Sequence, residues 1–346
     1  MTPPPTTGRT PPVRPDPPAT MRAVVQDRYG DPDVLRVEQI PVPSPGAGEV
    51  LLAVRAAGVD RGTLHLLTGL PYLMRVIGFG VRAPKNRVPG LDVAGTVVAI
   101  GDGVTRCTPG DEVFGVSRGS FAEYALAREE KLSHIPQGTP PEAAAVLGVS
   151  GSAALQAIDA GRIAAGHHVL VLGASGGVGS YAVQLAVAAG ADVTGVCSAD
   201  KLDLVRSLGA TDVVDYRATD LTTLGRHYDV VIDTGGLTPL RRLRRILAPR
   251  GTLVIVGGEN GGRWTGGFGR QLRAAAWSPF LSQRLIMLTA KEHHRFLDRL
   301  AESVGAGAVT PALERTYPLE EAADALRRLA EGRVRGKIAV IPRPPR

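Results

Sequence analysis

A cluster of glycines stands where an apolar strand gives way to an apolar helix. Residues 169–172 (VLVL) are all apolar, as in a central parallel strand that is covered on both faces. Residues 173–179 (GASGGVG) follow, and the apolar spacing after them predicts a buried helix that stops at Gly190. A diphosphate at this turn would meet free backbone N–H groups and the positive end of the helix dipole. The pattern predicts a nucleotide site at Ala174, Ser175, Gly176, Gly177 and Val178.

The glycine spacing fits the dinucleotide fingerprint with one departure. Ala174, Gly176 and Gly179 take its three glycine places, so the first glycine is an alanine. A glycine turn of purely structural purpose is the alternative, but strand-like and helical segments alternate through residues 191–258, as βαβ units do. We therefore expect a doubly wound parallel sheet that binds a dinucleotide.

The end of the second strand of this sheet indicates which dinucleotide the protein binds. An NAD site usually has Asp or Glu there to hold the ribose hydroxyls, whereas residues 196–198 read VCS. Ser198, Lys201 and Tyr216 could offer a 2′-phosphate a hydroxyl, a cation and a phenol, and they favour NADPH. As alternatives, they are a helix cap, a solvated lysine and a packing tyrosine. Asp200 opposes the NADPH prediction unless its carboxylate turns outward as a cap.

Length and composition limit the class of protein. The chain has 346 residues, enough for two domains, and its 44% hydrophobic and 21% charged residues are typical of a globular protein. Residues 1–20 are crowded with proline and predict a disordered tail. No apolar run approaches the roughly 20 residues that span a bilayer, and no secretory signal is visible. We expect a cytoplasmic protein with no membrane partner.

The formal net charge of +7 raises the question of a nucleic-acid partner. The densest basic run, RRLRRILAPR at residues 241–250, places Leu243, Ile246 and Leu247 at helical spacing among the arginines. That spacing fits a surface helix with a basic face, and aromatic residues for base stacking are scarce at 4%. We expect a solvated face and no nucleic-acid partner.

Further motifs stand in order along the chain: PGLDVAGTVVAIG, GSFAEYA, GASGGVG, SLGATDVVDY and RVRGKIAVIP. With them the sequence, from about Met21 onward, resembles the medium-chain dehydrogenase/reductase superfamily and its zinc-free quinone oxidoreductase branch. The resemblance implies an α/β protein with a GroES-like β-barrel catalytic domain at residues 21–147 and 305–346. A Rossmann domain at residues 148–304 would be inserted into it. The resemblance also implies a homodimer joined through the Rossmann sheets.

The resemblance also implies where a catalytic zinc would bind. In the zinc-dependent alcohol dehydrogenase branch the two marker positions hold a cysteine and a histidine, whereas this chain has Asp60 and Leu91 there. A single carboxylate cannot make the three-ligand site that catalytic zinc requires. We expect no metal.

Asp60 would lie beside the substrate if the resemblance holds. Zinc-free relatives often have an asparagine there, whose amide can donate to the substrate oxygen, and an ionised aspartate cannot. Three alternatives stay open: Asp60 is kept protonated by burial, it orients a neighbour such as His65, or it is a solvated loop residue. Tyr72 could line the mouth of the site or donate a proton, although a lone loop tyrosine more often packs.

The remaining site residues are implied by the resemblance alone. Glycine-rich loops that pass along the cofactor in relatives correspond to Gly235, Val256, Gly257 and Gly258. Ala153 replaces a threonine that relatives have near the nicotinamide. Residues 263–288 would either cap the substrate pocket or lie in the subunit interface.

These features together predict an NADPH-dependent, zinc-independent oxidoreductase that reduces a small-molecule substrate, either a quinone or an activated C=C bond, by hydride transfer. A carbonyl reductase or alcohol dehydrogenase of the same fold, with Asp60 or His65 as its acid, is the first alternative. An NADPH-binding protein without catalysis is the second, because a fold does not dictate chemistry.

Overall fold

The structure is a computed structural model that describes residues 17–342 apart from 237, 259–261 and 279–280. The side chains of residues 268, 272 and 275 are also outside the description. Most of the tail predicted at residues 1–20 lies outside the described residues, and the first strand begins at Thr20.

The first part of the chain is mainly strands. These are β1 (Thr20–Val25), β2 (Arg36–Pro41), β3 (Glu49–Val59), β4 (Asp92–Ile100), β5 (Glu112–Val116), β6 (Tyr124–Arg128) and β7 (Leu132–His134). Short helices lie between and after them: α1 (Arg61–Thr68), α2 (Tyr72–Met74) and α3 (Pro141–Ala144).

The middle of the chain alternates helices and strands. Its elements are α4 (Gly148–Gly161), β8 (His168–Leu172), α5 (Gly177–Ala188), β9 (Asp192–Cys197), α6 (Leu202–Ser207), β10 (Asp212–Asp215), β11 (Tyr228–Asp233), α7 (Leu240–Ile246), β12 (Leu247–Ile255), α8 (Gly262–Thr265), α9 (Phe268–Trp277), β13 (Arg284–Met287) and α10 (His294–Gly305). The chain then ends with β14 (Leu313–Pro318), α11 (Ala322–Ala330) and β15 (Lys337–Ile341).

The six strands of the middle part pair in parallel in the order β10-β9-β8-β11-β12-β13. This is the doubly wound order. The first strand of the sheet, β8, lies in the middle, where the strand order reverses. Alternate residues of β8 face opposite layers, since Val169 and Val171 join the core under α4 and α5 while Leu170 and Leu172 pack with α7. The predicted Rossmann sheet is confirmed.

The other large sheet combines both ends of the chain. Its order is β14-β15-β3-β4-β5-β7, and β6 pairs with β3. The pairs are antiparallel except β14 with β15. The expected GroES-like architecture, with a late strand returning to the first domain, is confirmed. The domain limits proposed from the sequence stay a prediction, as does the homodimer. No helix within the described residues is long and apolar enough to cross a membrane.

A buried ion pair joins the barrel to the nucleotide-binding half. Asp92 of β4 accepts a hydrogen bond from the Val149 backbone N–H at the start of α4 (2.6 Å), and its second oxygen pairs with the Lys337 ammonium of β15 (3.1 Å). The same ammonium donates to the Val59 carbonyl (3.1 Å) and approaches the Ser150 hydroxyl (3.2 Å). Burial and the nearby Asp60 charge raise the pKa of Asp92 to about 6, against the lowering effect of Lys337.

Replacing Lys337 by methionine should destabilise the fold in a pH-dependent way. Well above pH 6 the variant leaves the Asp92 carboxylate buried and unpaired, which costs about 3–5 kcal/mol. A carboxyl whose pKa is raised on folding contributes stability that is present at low pH and lost as the pH rises through about 6. Because Lys337 lowers the pKa of Asp92, Asp92 of the variant titrates above pH 6, so the loss measured by urea unfolding should grow as the pH rises above about 6 and be smallest below it. Lys85→Met, the same change at an exposed lysine, is the control. If the Lys337 variant lost the same stability below pH 6 as well above it, Asp92 would not be the group left unpaired.

Candidate active site

The predicted nucleotide residues gather at one edge of the parallel sheet. The glycine loop follows β8, Ser198 follows β9, Tyr216 follows β10, Gly235 follows β11 and Val256 follows β12. Because all these strands are parallel, their carboxyl ends meet at the same edge, where open α/β sheets bind their ligands.

The glycine loop leaves the start of α5 open. Gly176 is the N-cap residue of α5 and brings no side chain to cap it, so the N–H groups of the first turn are available to an anion. A Cβ on Gly176 would meet only the Gly173 carbonyl oxygen, at 3.3 Å. A Cβ on Gly179 would come within 2.0 Å of that same oxygen, so this glycine lets helix and loop pack together.

The alanine in the fingerprint has a physical explanation. Gly173, one residue earlier, takes the left-handed conformation (φ 76°), so Ala174 does not have to make the turn. Ala174 is fully buried, and its N–H bonds to the Val196 carbonyl at 3.0 Å. A Cβ on Gly195 would meet the Ala174 Cβ at 3.2 Å, so β9 also depends on a glycine here.

Two of the residues predicted to hold a 2′-phosphate are engaged within the protein. The Lys201 ammonium is 7% exposed and donates to the carbonyls of Gly332 (2.6 Å) and Val334 (2.9 Å). Burial lowers the pKa of Lys201. The Ser198 hydroxyl hydrogen-bonds the Asp200 carboxylate and is the main cause that lowers the pKa of Asp200.

Tyr216 and Arg217 are placed more openly at the same corner. Tyr216 is 46% exposed, and the Arg217 guanidinium carbon lies 5.4 Å from its ring centroid. The sequence analysis missed Arg217, although its position directly after the third strand of the sheet was a usable signal. The part that each of these residues plays in coenzyme binding stays a prediction.

The loops after β11 and β12 approach each other closely. A Cβ on Gly257 would lie 2.1 Å from the Thr234 carbonyl oxygen, and one on Gly258 would lie 2.8 Å from the Gly267 Cα. A Cβ on Gly235 would meet no atom within 4 Å. The glycines at 257 and 258 therefore serve close backbone packing, whereas Gly235 leaves room above the sheet.

A buried aspartate and an arginine support these loops, and the sequence analysis missed both. Asp233, 1% exposed at the end of β11, accepts from the Gly236 N–H (2.9 Å) and pairs with Arg270 of α9. Arg270 also donates to the Thr238 carbonyl at 2.9 Å. Its Nε and Nη1 are buried without a partner in the part of the chain that the structure describes. Spacing gave no signal for this pair, because it joins residues that are 37 positions apart.

Asp60 is buried at the start of α1. It is 5% exposed, and its Oδ1 caps the helix by accepting the Thr63 N–H at 2.7 Å. Its Oδ2 is buried with no hydrogen-bond partner among the described residues. The interpretation of Asp60 as a solvated loop residue is wrong, because the side chain is buried and caps α1.

His65 and Tyr72 lie on the segment that follows Asp60. The His65 Nδ1 donates to the Leu70 carbonyl at 2.9 Å. Tyr72, in α2, packs edge-on against Trp264 of α8 with ring centroids 5.4 Å apart, and the Arg75 guanidinium lies 4.8 Å from the Tyr72 centroid. Tyr72 thus connects the barrel to the segment that the sequence suggested as a cap. Its role in proton transfer stays a prediction.

The two zinc-marker positions do not fit a zinc ion. One oxygen of Asp60 is occupied as a helix cap, and Leu91 contributes an apolar side chain against Gly62. Within the described residues, no group of three or more His, Cys, Asp or Glu side chains is placed to hold a metal. No step of the chemistry is therefore assigned to zinc.

Comparisons with known proteins agree with this architecture. Residues 46–137 match the alcohol dehydrogenase GroES-like domain, and residues 208–340 match the zinc-binding dehydrogenase family. A chloroplastic quinone oxidoreductase of Triphysaria versicolor is 33% identical over 93% of this chain and 98% of its own length. The chain belongs to the medium-chain dehydrogenase/reductase family.

Solved structures of this family share the fold over nearly the whole chain. The quinone oxidoreductase from Coxiella burnetii superposes with a TM-score of 0.82 at 25% identity, covering 93% of this chain and 99% of that one. A mycobacterial protein solved as a complex with NADPH superposes with a TM-score of 0.77 at 27% identity, covering 93% and 100%. This chain is thus similar to quinone oxidoreductases of the medium-chain dehydrogenase/reductase family.

Gly176→Ala should separate coenzyme binding from folding. The methyl group would meet only one carbonyl oxygen of the protein, so the free energy of unfolding should change by less than about 1 kcal/mol. The same methyl group would obstruct an anion at the start of α5, and the Kd for NADPH should rise at least about tenfold. Fluorescence titration measures the Kd, with Gly305→Ala in α10 as the matched control. An unchanged Kd would place the diphosphate elsewhere.

Proposed function

We propose that this protein is an NADPH-dependent, zinc-independent oxidoreductase that reduces a quinone or an activated C=C bond, such as that of an enone. The observation that carries the proposal is the uncapped start of α5 at the carboxyl edge of the Rossmann sheet, within a chain similar to quinone oxidoreductases. The bound coenzyme would supply the hydride.

The residues of the glycine loop and the loops after β11 and β12 fit a dinucleotide. The first-turn N–H groups of α5 would bind its diphosphate, and Gly235 leaves space along its path. The pairing of Asp233 with Arg270 holds the loop after β11 in place. The chain's own part of the chemistry would be to hold the coenzyme at this edge of the sheet and to leave space for it at Gly176 and Gly235.

The choice of NADPH rests on charges near the end of β9. Residues 196–198 place no carboxylate at the end of the strand, and Tyr216 and Arg217 stand exposed beside it. Arg217 is suited to a 2′-phosphate because its planar guanidinium can donate two parallel hydrogen bonds. Asp200 acts in the opposite direction, although Ser198 already hydrogen-bonds its carboxylate. The relative complexed with NADPH supports the same choice.

Asp60 is the group that we propose meets the substrate oxygen. Its Oδ1 is fixed by the Thr63 N–H, which leaves Oδ2 to donate a proton or hydrogen bond when it carries one. Reduction of a quinone or enone builds negative charge on the carbonyl oxygen, and a donor must meet that charge. Asp60 and the nearby Asp92 are both buried, so water has little access to either carboxyl.

The purified protein should consume NADPH with quinones or enones while a metal chelator is present, and NADH should serve it less well. Absorbance of the reduced coenzyme gives the rate, and identifying the product shows which bond changed. An alcohol product with an intact C=C bond would support a carbonyl reductase instead. Tight NADPH binding without turnover of any panel member would support a binding protein.

Asp60→Asn should lower kcat for the preferred substrate by about a hundredfold or more, the range that general acid catalysis contributes. The asparagine keeps an oxygen to accept the Thr63 N–H and removes a negative charge beside Asp92, so the Kd for NADPH should stay unchanged and the melting temperature should not fall. Asp31→Asn, at the exposed cap of the turn Pro32–Val34, is the matched control. Equal or faster turnover by the Asp60 variant would show that an amide donor suffices and that Asp60 is not the acid.

A further inference from the structure

The amino edge of the Rossmann sheet, opposite the coenzyme edge, carries a groove lined by arginines. A cavity of about 490 Å³ there is lined by Arg162, Arg250 and Arg284, together with His167 and Asp229. A second hollow of about 440 Å³, lined by Arg241, Arg244 and Arg245, adjoins it at Pro249, which borders both. We call the two together the arginine groove.

These arginines lack the carboxylate partners that other arginines of the chain have. Among the described residues, none of the six forms an ion pair, and only Arg244 makes a side-chain hydrogen bond, to Gln283 (3.0 Å). On the same helix Arg242 pairs with Asp220 at 2.7 Å. One carboxylate, that of Asp229, is among the residues lining the two hollows, and it accepts the His168 backbone N–H at 2.9 Å. The groove therefore concentrates uncompensated positive charge.

Helix ends explain only part of this charge. Arg162 follows the last residue of α4, and Arg244 and Arg245 lie in the last turn of α7, where cations complement the helix dipole. Arg250 and Arg284 lie instead on β12 and at the start of β13. No helix terminus accounts for these two.

A histidine in the same cavity also lacks a partner. The Nδ1 of His167 is buried and makes no hydrogen bond within the described residues, although His167 lines the cavity with the arginines. A buried polar atom without a partner is uncommon in folded proteins. An anion in the hollow would meet the exposed Arg250 and Arg284 rather than this buried nitrogen.

The chemistry and size of the groove define the class of ligand. Guanidinium groups bind phosphate oxygens through paired hydrogen bonds. They therefore match the geometry of a phosphate better than the ammonium of a lysine does. Each hollow lies within the roughly 300–1,000 Å³ range of small-molecule sites. Among the described residues that line the two hollows there is no Phe, Tyr or Trp on which nucleic-acid bases could stack.

We propose that the arginine groove is a second ligand site, which binds a small molecule that carries a phosphate or diphosphate group. It is separate from the coenzyme site, because its residues lie at the amino ends of β8, β11, β12 and β13 whereas the glycine loop follows the carboxyl end of β8. The five residues of β8 alone separate the two edges by about 16 Å.

Inorganic pyrophosphate is the probe, and isothermal calorimetry on the full chain is the measurement. Saturating NADPH is present so that pyrophosphate does not bind at the glycine loop. The test variant is Arg250→Gln/Arg284→Gln. The control, Arg55→Gln/Arg206→Gln, removes the same charge from two exposed arginines elsewhere.

The wild type and the control should each bind one pyrophosphate with the same Kd, and the test variant should bind at least about tenfold more weakly, since hydrogen bonds to charged groups are lost. Equal weakening in both variants would overturn the proposal, because it would show that only net charge matters. Absence of a saturable one-to-one isotherm in the wild type would overturn it as well.

Two further titrations separate the possible sources of the phosphate. Tighter binding of ADP than of pyrophosphate would identify a nucleotide ligand. The protein is also sedimented with phosphatidic acid vesicles. If it binds them and excess pyrophosphate does not release it, the small-molecule site is overturned in favour of a membrane surface.

Discussion

The buried carboxylate of Asp92 holds together the parts from which the site is built. It accepts the Val149 N–H in the first turn of α4 and pairs with Lys337, so one side chain links β4, the interdomain helix and the last strand of the barrel. The surrounding backbone is close enough to exclude larger residues: a Cβ on Gly58 would lie 2.4 Å from the Ala145 carbonyl oxygen, and one on Gly148 would lie 2.6 Å from Asp92 Oδ1. This contact therefore helps to fix the surface that carries Asp60 against the surface that carries the glycine loop.

The same junction brings positive charge beneath the coenzyme edge. A Cβ on Gly177 would meet the Ser150 hydroxyl at 2.9 Å and Lys337 Cδ at 3.0 Å, so the lysine stem lies directly against the start of α5. The Gly336 N–H also donates to the Ser175 carbonyl at 2.8 Å, which ties the final strand to the glycine loop. The last residues of the chain therefore help to shape a turn that lies about 160 residues earlier in the sequence.

The sequence predicted the architecture well, because strand periodicity, glycine spacing and motif order are local signals. The doubly wound parallel sheet follows from them, the return of the final strand was implied by the family resemblance, and the strand order is known only from the structure. Individual side-chain roles were less predictable. Lys201 was predicted to offer its charge to a 2′-phosphate, yet its ammonium donates to the carbonyls of Gly332 and Val334, which are more than 130 positions away. Asp233 with Arg270, and Asp92 with Lys337, are contacts between distant segments that composition and spacing do not report.

Asp60 stands where zinc-free relatives often have an asparagine, and this difference changes the chemistry that the fold can perform. Its capping bond to Thr63 commits one oxygen to structure, and its charge raises the pKa of Asp92, whose own partner is the buried Lys337. Asp60 thus lies close enough to the Asp92–Lys337 pair for its charge to act on Asp92. Asp60 Oδ2 is the one carboxylate oxygen of Asp60 and Asp92 that has no hydrogen-bond partner among the described residues. Under the proposed function, this is the oxygen that would meet the substrate, because the other three are committed to holding the fold.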